Sequence, residues 1–291
     1  MPVGREEWLA VRCLFEAPIL DEHKWGKVPS IPADAFILDL EDSVPLDRKE
    51  EARAKVVEYL GRPDYFNGAL IAARANNLDT PWGRDDLVAL AHAGAEVVMY
   101  PKMSGPDEVR AVADVLSEHG SSARLLPCIE SARGVVEVER ILAMDEVVAA
   151  AFGPGDLHVD AHLPLYDESG EMNPALDYPK ARCALAGAAF GVAVLGIAYL
   201  PDIRDADEAR KRLKAERAFG FTGVASFYPP QVPIVNEVFS PSEDEIARAK
   251  TIVTSYEAAV ALGNPAVQLP NGEAVLVHQY KESQDLLARV R

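Results

Sequence analysis

The sequence predicts an α/β fold, a (β/α)8 TIM barrel with a C-terminal helical extension. Three observations favour it: eight short apolar runs, helix-like stretches between them, and a length of 291 residues with 49% hydrophobic content. Apolar runs that alternate with helices are typical of parallel sheets joined by crossover helices. Eight repeats fit a closed barrel of about 250 residues. We expect residues 1–239 to form the barrel and residues 240–291 the extension.

The strand-like runs are short, apolar and separated by helix-like segments. The runs are VRCLF (11–15), AFILDL (35–40), ALIAAR (69–74), EVVMY (96–100), RLLPCI (124–129), VVAAAF (147–152), VAVLGIA (192–198) and GVASF (223–227). The clearest helical stretches are 47–60, 84–93, 106–119, 133–143, 177–190 and 204–219. Only the interval between the first two runs has a weak helical pattern.

The extension begins with a helix start signal in SPSEDEIARAK. Ser240 is the predicted N-cap, Pro241 the first helical residue, and Glu243 lies three residues after the cap, which together make a capping box. We expect one helix over 241–261 and a second over 278–290. Because both follow the last strand, we expect their apolar side to pack on the barrel or on a neighbouring subunit.

Composition excludes several classes of partner. The formal net charge of −17 and the pI of about 4.8 argue against nucleic acid and anionic membrane surfaces, both of which attract basic patches. Cys13, Cys128 and Cys183 have no spacing that suggests disulfides. The start, MPVGREEWLAV, lacks the apolar core of a signal peptide, and the longest apolar runs are far below the ~18 residues of a membrane span. We expect a cytoplasmic protein.

Two acidic residues follow different predicted strands. Glu130 closes RLLPCIE and Asp156 closes VVAAAFGPGD, so both carboxylates are expected at the C-terminal mouth of the barrel, where barrel enzymes build their active sites. Mg²⁺ is commonly held by one or two protein carboxylates, with water or substrate oxygens in the other positions. The pair is therefore a candidate Mg²⁺ site.

Other polar residues fall at or near the same strand ends: Arg12, Asp39, Glu41, Asp42, Arg74, Asn76 and Lys102. Asp39 and Glu41 share one strand face, and such crowding raises carboxyl pKa values unless a cation compensates, which makes a carboxylate base plausible. Each acid is equally a candidate turn former or helix cap, and Arg74 a candidate structural ion pair. His158 and His162 lie four apart in a loop-like segment, which does not favour a zinc site.

Six segments resemble, in order, motifs of one enzyme family: FILDLEDSVPLDRKEEAR, ARANNLDTPWGRDDL, VVMYPKMSGPDEV, LLPCIESARGV, AAFGPGDL and AFGFTGVASFYPPQVPIVNEVFSPSEDEIARAK. They resemble the citrate lyase β-subunit-like (CitE-like) branch of the HpcH/HpaI aldolase superfamily, which also includes malyl-CoA lyases. The resemblance covers roughly residues 11–290. It implies a modified (β/α)8 barrel that assembles as homotrimers or hexamers.

The resemblance also implies roles for individual residues. Glu130 and Asp156 would be the Mg²⁺ ligands. Arg74 would bind the substrate carboxylate or polarise its oxygen, and the backbone amides at Gly155 and Asp156 would hold the other end of a 2-oxo acid. The site would then bind a 2-oxo acid such as glyoxylate, pyruvate or oxaloacetate, whose carbonyl the metal polarises as a Lewis acid.

The remaining candidates are assigned less sharply. Asp39, Glu41 and Asp42 fall where the family places acid/base and metal-supporting carboxylates, and which of them moves the proton stays open. Arg12 matches the arginine that opens the family's first strand motif, so we expect it to bind substrate. No Schiff-base lysine is required, and Lys102 is expected to be structural or to orient Glu130.

The implied function is a Mg²⁺-dependent carbon–carbon lyase or aldolase that cleaves or forms a 3-hydroxyacyl thioester of the malyl-CoA or citramalyl-CoA type. Three departures from the family pattern leave the use of acyl-CoA open. LFEAP replaces LFVPG and places Glu16 near the entrance expected for an acyl carrier. GVASFYP replaces GKxxIHP, with Val224 and Tyr228 in place of Lys and His, and NGEAVLV has Asn271 and Leu276 where relatives often carry acids.

Two alternatives follow from these departures. One is a CoA-independent aldolase that acts on free hydroxy-oxo acids. The other is a non-autonomous subunit of an acyl-carrier lyase complex, as the citrate lyase β subunit works within a larger assembly. The intact set of Arg74, Glu130 and Asp156 argues against a subunit that has lost its chemistry.

Overall fold

The computed structural model describes residues 3–264, 266–288 and 290. Eight parallel strands close into a barrel: β1 (Cys13–Glu16), β2 (Ala35–Asp39), β3 (Leu70–Arg74), β4 (Val97–Tyr100), β5 (Arg124–Ile129), β6 (Ala149–Phe152), β7 (Ala193–Ile197) and β8 (Gly223–Ser226). Each strand pairs with the next in chain order, and β8 pairs with β1, placing Val224 beside Cys13. The predicted barrel is confirmed, and every predicted run overlaps a strand.

Helices alternate with these strands: α1 (Arg5–Leu9), α2 (Glu22–Trp25), α3 (Lys49–Leu60), α4 (Gly83–His92), α5 (Pro106–Glu118), α6 (Ala132–Leu142), α7 (Pro154–Asp160), α8 (Asp177–Phe190), α9 (Ala206–Phe219) and α10 (Val232–Val238). The six predicted helical stretches correspond to α3–α6, α8 and α9. The weak pattern between the first two strands matches α2, which is a single turn.

The barrel interior is apolar and is filled from all sides. Inward-facing residues of successive strands form one buried cluster that includes Leu14, Ile37, Met99, Leu126 and Leu195. Small side chains lie between them, and β6 contributes alanine at three of its four positions. The interior is therefore a packed core, as expected for an eight-stranded barrel, and chemistry is confined to the mouth.

The chain divides into two compact units, Met1–Asn236 and Glu237–Arg291; the sequence had suggested a boundary between residues 239 and 240. The second unit contains α11 (Glu243–Ala261), a short hairpin of β9 (Val267–Gln268) and β10 (Ala274–Val275), and α12 (Val277–Ala288). Its helices pack through stacked Tyr256 and Tyr280 rings, whose centroids lie 4.7 Å apart. The hairpin was not predicted, and Arg289 of the predicted second helix lies outside the described residues.

The helix α11 begins two residues later than predicted. Ser242 is the N-cap, not Ser240, and its Oγ accepts from the main-chain N–H of Glu245 while Glu245 Oε2 accepts from the N–H of Ser242. The segment SPSEDE offers a Glu three residues after each serine, so both serines fit the capping pattern. The structure adopts the second, and the helix begins at Glu243.

Two further expectations concern the chain's environment. Cys13, Cys128 and Cys183 are buried free thiols. Within the described part of the chain, none of the helices combines the length and the apolar character needed to cross a membrane.

Candidate active site

Charged side chains lie at the C-terminal mouth of the barrel, directly above the apolar interior. Side chains alternate along a strand, so inward-facing positions recur every two residues. The apolar positions are Leu14, Ile37, Ala72 and Cys128, and the inward positions two residues later are Glu16, Asp39, Arg74 and Glu130. The alternation that builds the core therefore also aims these four charged groups into the mouth.

Arg74 is the central cation of the mouth. Its Nε donates to Asp39 Oδ1 at 2.5 Å, its Nη2 donates to Glu16 Oε1 at 3.2 Å, and its Nη1 lies 3.5 Å from Glu41 Oε2. Burial opposes the charge of Arg74, but Asp39 and then Glu16 and Glu41 outweigh it and raise the pKa of the guanidinium. Arg74 is thus a fixed positive charge that faces three carboxylates.

Asp39 is fully buried, and hydrogen bonds hold its carboxylate in place. Besides Arg74, its carboxylate accepts the main-chain N–H groups of Glu41 at 2.9 Å and Ser43 at 2.8 Å, and the Ser43 hydroxyl at 2.6 Å. Burial alone would raise the pKa of Asp39, but the charge of Arg74 and these hydrogen bonds lower it. An anion held this firmly is poorly suited to accept a proton.

Glu41 has the opposite character. Burial, together with the neighbouring charge of Asp42, raises the pKa of Glu41, although Arg74 and Lys102 oppose the rise. Asp42 lies on the exposed turn after β2. Of the three acids predicted as catalytic, Glu41 is therefore the best placed to exchange a proton with a bound molecule.

A buried lysine holds the turn that carries Glu41. Lys49, at the start of α3, donates from Nζ to the carbonyls of Leu40 and Glu41, both at 2.7 Å, and to Asn76 Oδ1 at 2.9 Å. Burial lowers the pKa of Lys49, against the nearby carboxylates that raise it. This lysine therefore ties the ends of β2 and β3 together.

Glu130 follows β5 and is a deeply buried carboxylate. Its Oε1 accepts the main-chain N–H of Lys102 at 2.8 Å. A Cβ on Gly153 would lie 2.5 Å from Glu130 Oε2, so the glycine leaves the space that this side chain occupies. Burial and then the charge of Glu41 raise the pKa of Glu130 to about 7. A bound cation would relieve this unfavourable burial of charge.

Asp156 lies in the first turn of α7, just beyond β6. It is more open than Glu130, with a side chain 41% exposed. The main-chain amides of Gly155 and Asp156 belong to the helix start, where N–H groups have no acceptor within the helix. A Cβ on Gly155 would collide with the hydroxyl of Tyr199, which packs on this turn. Burial, with the charge of Asp156, raises the pKa of Tyr199.

Lys102 lies between the acids of β2 and α7. Its Nζ is 3.2 Å from Glu41 Oε1 and 3.5 Å from Asp156 Oδ1, and these charges raise its pKa although burial opposes the rise. The ammonium thus occupies a region where a cation is favoured. The contact to Glu130 comes from the main chain of Lys102, whose φ of 54° lies in the left-handed region.

Arg12 lies at the opposite end of the barrel. It precedes β1, and its Nε and Nη2 donate to the carboxylate of Asp34, which precedes β2, at 3.0 and 2.9 Å. The structure therefore does not bring Arg12 to the mouth with Arg74, and the substrate-binding role expected for it is not supported. The physical reason is the strand boundary: β1 begins at Cys13, so the first residues of the run VRCLF are at the N-terminal end.

A divalent cation fits the donor set at the mouth. Among the described residues, no group of three or more His, Cys, Asp and Glu side chains is arranged for a metal, and His158 Nδ1 lies 2.9 Å from the carbonyl of Leu163. Glu130 and Asp156 supply hard oxygen donors at the end of two strands. Two carboxylates completed by water and substrate oxygens suit Mg²⁺ rather than a softer metal.

An open cavity of about 330 Å³ adjoins the mouth on the side of β3 and β4. It is lined by Glu41, Asn77, Asp79, Thr80, Lys102, Ser104 and Glu108. Its three carboxylates outnumber its single lysine. The lining is therefore polar, with more acids than bases.

Sequence reasoning did not assign two residues to the charged cluster. Glu16 is expected from the sequence near an acyl-carrier entrance, which stays a prediction; the structure places it against Arg74, and its position two residues after inward-facing Leu14 is the signal for that contact. Tyr199 was not considered at all. It follows the end of β7 at Ile197, where no motif marks it, and only its contact with Gly155 reveals its place.

The barrel brings one buried arginine and several carboxylates together at its C-terminal mouth, which is where barrel enzymes build their active sites. The family model of HpcH/HpaI aldolase/citrate lyase matches residues 18–229. The chain belongs to this family, and it is a carbon–carbon lyase.

Individual relatives show what the chain is similar to. It is 33% identical over 264 residues to a (3S)-malyl-CoA thioesterase of Cereibacter sphaeroides, covering 91% of this chain and 89% of the relative. It is 30% identical over 251 residues to the citrate lyase subunit beta of Leuconostoc mesenteroides, covering 84% and 81%. The CitE protein of Mycobacterium tuberculosis, solved with magnesium and pyruvate, superimposes with a TM-score of 0.70 at 26% identity, covering 81% and 93%.

Proposed function

We propose that the protein is a Mg²⁺-dependent lyase that cleaves or forms a 3-hydroxyacyl thioester of the malyl-CoA or citramalyl-CoA type, with a 2-oxo acid as the second reactant. The observation that carries this proposal is Glu130. This carboxylate is buried at the mouth, beside Glu41 and Asp156, and its surroundings disfavour its charge. The relatives named for malyl-CoA and citrate lyase chemistry support the choice of reaction.

Glu130 and Asp156 would hold the metal. Bound Mg²⁺ would supply Lewis-acid polarisation of the carbonyl of the 2-oxo acid. The first-turn amides of α7, at Gly155 and Asp156, would hold the carboxylate of the same molecule, because N–H groups at a helix start favour anions. Tyr199 packs on this turn and limits the space beside it.

Arg74 would stabilise negative charge that develops on substrate oxygens. Its orientation is fixed by Asp39, so no reorganisation is needed when that charge appears. In the cleavage direction Glu41 would take the proton from the 3-hydroxyl group, the C2–C3 bond would break as the carbonyl of the 2-oxo acid forms, and the proton would be returned to C2 of the acyl thioester, which keeps the electron pair. Synthesis would run the same transfers in reverse. Asp39 is unsuited to this step, because its hydrogen bonds lower its pKa.

A CoA-independent aldolase that acts on free hydroxy-oxo acids is the second candidate. The replacement of the family's usual Lys and His by Val224 and Tyr228 favours it, since fewer cations are then available for the phosphates of CoA. The same metal and arginine would serve both reactions. A third possibility, a subunit that works only within an acyl-carrier complex, would show as inactivity of the isolated chain on both kinds of substrate.

The test is to incubate the purified protein with glyoxylate, acetyl-CoA or propionyl-CoA and Mg²⁺, and to identify the products by mass spectrometry. An adduct of the malyl-CoA type that disappears in EDTA would support the thioester reaction, and free malate would add thioesterase activity. Unchanged acyl-CoA in every reaction would contradict it and would direct the assay to free 2-oxo acids with aldehydes. Asp156→Asn should lose the Mg²⁺-dependent product, and a wild-type rate would remove Asp156 from the metal site.

We further propose that the protein is a cytoplasmic homo-oligomer, a trimer or hexamer, in which residues 240–291 pack on a neighbouring subunit. The support is the assembly implied by the family resemblance. Light scattering on the intact chain and on a chain ending at residue 239 would test it. A monomeric intact chain would contradict the proposed assembly.

A further inference from the structure

Glu16 distinguishes this mouth from a simple arginine-and-metal site. It is the last residue of β1, its side chain is 24% exposed, and it faces the same guanidinium that would serve the substrate. Resting on the proposed function, we infer that Glu16 is a specificity-determining residue that restricts the enzyme to 2-oxo monocarboxylic acids. Acids with a second carboxylate, such as oxaloacetate, would be disfavoured.

Arg74 has little donor capacity left for a substrate carboxylate. A guanidinium has five N–H donors, and a substrate carboxylate binds best to two parallel ones. In Arg74, Nε faces Asp39, Nη2 faces Glu16 and Nη1 faces Glu41, so each nitrogen already has a carboxylate neighbour. The N–H donors of Arg74 that remain suit one neutral oxygen, that of the keto or thioester carbonyl, rather than a carboxylate bound through both oxygens.

Two lysines near the mouth are already held by other partners. The ammonium of Lys102 lies between Glu41 and Asp156. That of Lys49 is buried and donates to two main-chain carbonyls and to Asn76. Neither is placed to neutralise an additional carboxylate next to Glu16. A second substrate carboxylate in this region would therefore meet like charge, which weakens binding.

Under the proposed function, the carboxylate of the 2-oxo group would bind at the metal position of Glu130 and Asp156. One carboxylate would thus be accommodated on the side of β5 and β6. Among the described residues, the charged side chains that face Arg74 from β1 and β2 and the turn after β2 are acids: Glu16, Asp39 and Glu41. The asymmetry of the mouth selects for a substrate with one charged end.

The raised pKa of Glu16 supports this placement. Burial raises it to about 7, against the charge of Arg74, and the charges of Asp39, Asp42 and Glu41 add to the rise. Burial is thus the largest cause of the rise, and the neighbouring acids add to it. Another carboxylate would bring a further like charge to the same place.

The experiment compares two four-carbon acids of similar size, 2-oxobutyrate and freshly dissolved oxaloacetate. Their dissociation constants are measured by titration calorimetry with Mg²⁺ present, and pyruvate formed from oxaloacetate is quantified in the same sample. In the wild-type protein we expect 2-oxobutyrate to bind at least roughly tenfold more tightly. In Glu16→Gln this ratio should fall at least roughly tenfold, mainly through tighter binding of oxaloacetate.

Asp47→Asn is the matched control, because it removes one negative charge from an exposed position between β2 and α3. Its effect on the ratio should stay within about twofold, since exposed charges are screened. An equal change in Asp47→Asn and Glu16→Gln would overturn the inference, because the effect would then be one of net charge. Circular dichroism shows whether each variant is folded. If Glu16→Gln does not fold, the ratio of the two dissociation constants in the wild-type protein decides the test by itself.

The outcomes separate this inference from the function on which it rests. If the wild-type protein binds both acids equally well, the inference about Glu16 is wrong and the proposed function stands. If it binds neither acid with Mg²⁺, the proposed function fails and the inference fails with it. A turnover assay adds a second readout, since the discrimination should appear in the KM for the 2-oxo acid more than in kcat.

Discussion

The two ends of the barrel interior are closed by opposite kinds of side chain. At the N-terminal end, Trp8 of α1 is fully buried in the apolar cluster, and Arg5 anchors α1 by donating to the carbonyls of Val147 at 3.0 Å and Met144 at 2.8 Å. At the C-terminal end the same interior finishes in acids around Arg74. The N-terminal end is thus apolar like the core, whereas the C-terminal end is charged.

The charges at the two ends are compensated differently. Near the N-terminal end, Asp34 pairs with Arg12 and accepts its main-chain N–H as well; burial opposes its charge, but these contacts lower its pKa. At the mouth, burial raises the pKa values of Glu16 and Glu130 to about 7. Paired charge stabilises the fold, whereas under-compensated charge marks the end that would bind a cation and a substrate.

Removing a carboxylate from the mouth should have the largest effect. Glu130→Gln should lower Mg²⁺-dependent kcat/KM by at least roughly 10³-fold, because a proposed metal ligand is lost. Turnover and Mg²⁺ titration calorimetry measure the loss. The control is Glu137→Gln, a similarly buried acid on α6 that pairs with Arg133 and Arg140 and should keep wild-type turnover. A wild-type rate in Glu130→Gln would remove Glu130 from the metal site.

The corresponding change at the N-terminal end should affect stability alone. Asp34→Asn weakens the contacts to Arg12 and should lower the free energy of unfolding by about 1–3 kcal/mol. Urea denaturation measures this change. The kcat/KM per folded molecule should be unaffected, since Arg12 is remote from the mouth. A large fall in kcat/KM with normal stability would mean that Arg12 does act on substrate.

In the metal-free protein, the pH dependence of the free energy of unfolding should distinguish the mouth of the barrel from its N-terminal end. The pKa of Glu16 rises from 4.5 to about 7 on folding, so its contribution is fully present below about pH 4.5 and is lost as the pH rises through 7. Glu16→Gln lacks this term and should gain roughly 2 kcal/mol relative to wild type between pH 4.5 and 8.

Urea denaturation in EDTA at both ends of this pH range measures the relative gain. The exposed Glu50→Gln on α3 is the control, and its stability difference from wild type should stay nearly constant. A difference between Glu16→Gln and wild type that does not change with pH would show that folding does not raise the pKa of Glu16.

Lys102→Met should give the smallest effect. Methionine keeps the main-chain N–H that Glu130 accepts, so kcat at saturating Mg²⁺ should stay within about threefold of wild type. Loss of the ammonium beside Glu41 and Asp156 should lower the half-saturating Mg²⁺ concentration, measured in an activity titration. Lys55→Met, in the pair with Glu22, is the control. A large loss of kcat would instead make Lys102 part of the chemistry.

Much of the fold follows from local patterns. The apolar runs and the helical stretches are set by residues close in sequence, so eight strands, most of their helices and the helix of the extension could be predicted. Glu130 and Asp156 could be placed at the mouth for the same reason, because each follows a strand directly. Short elements such as α7, which carries Asp156, were missed because one or two turns produce no periodicity.

The sequence by itself determined the barrel and the acids at its strand ends, because alternation and helical periodicity are local properties. Tertiary structure decided three things that depend on strand boundaries and on neighbours distant in sequence. It placed Arg12 at the N-terminal end with Asp34, it brought Glu16 to the guanidinium of Arg74, 58 residues away, and it separated Asp39 from Glu41 in pKa. Such differences arise from burial and from the partners that each charge meets, and these exist only when the barrel closes.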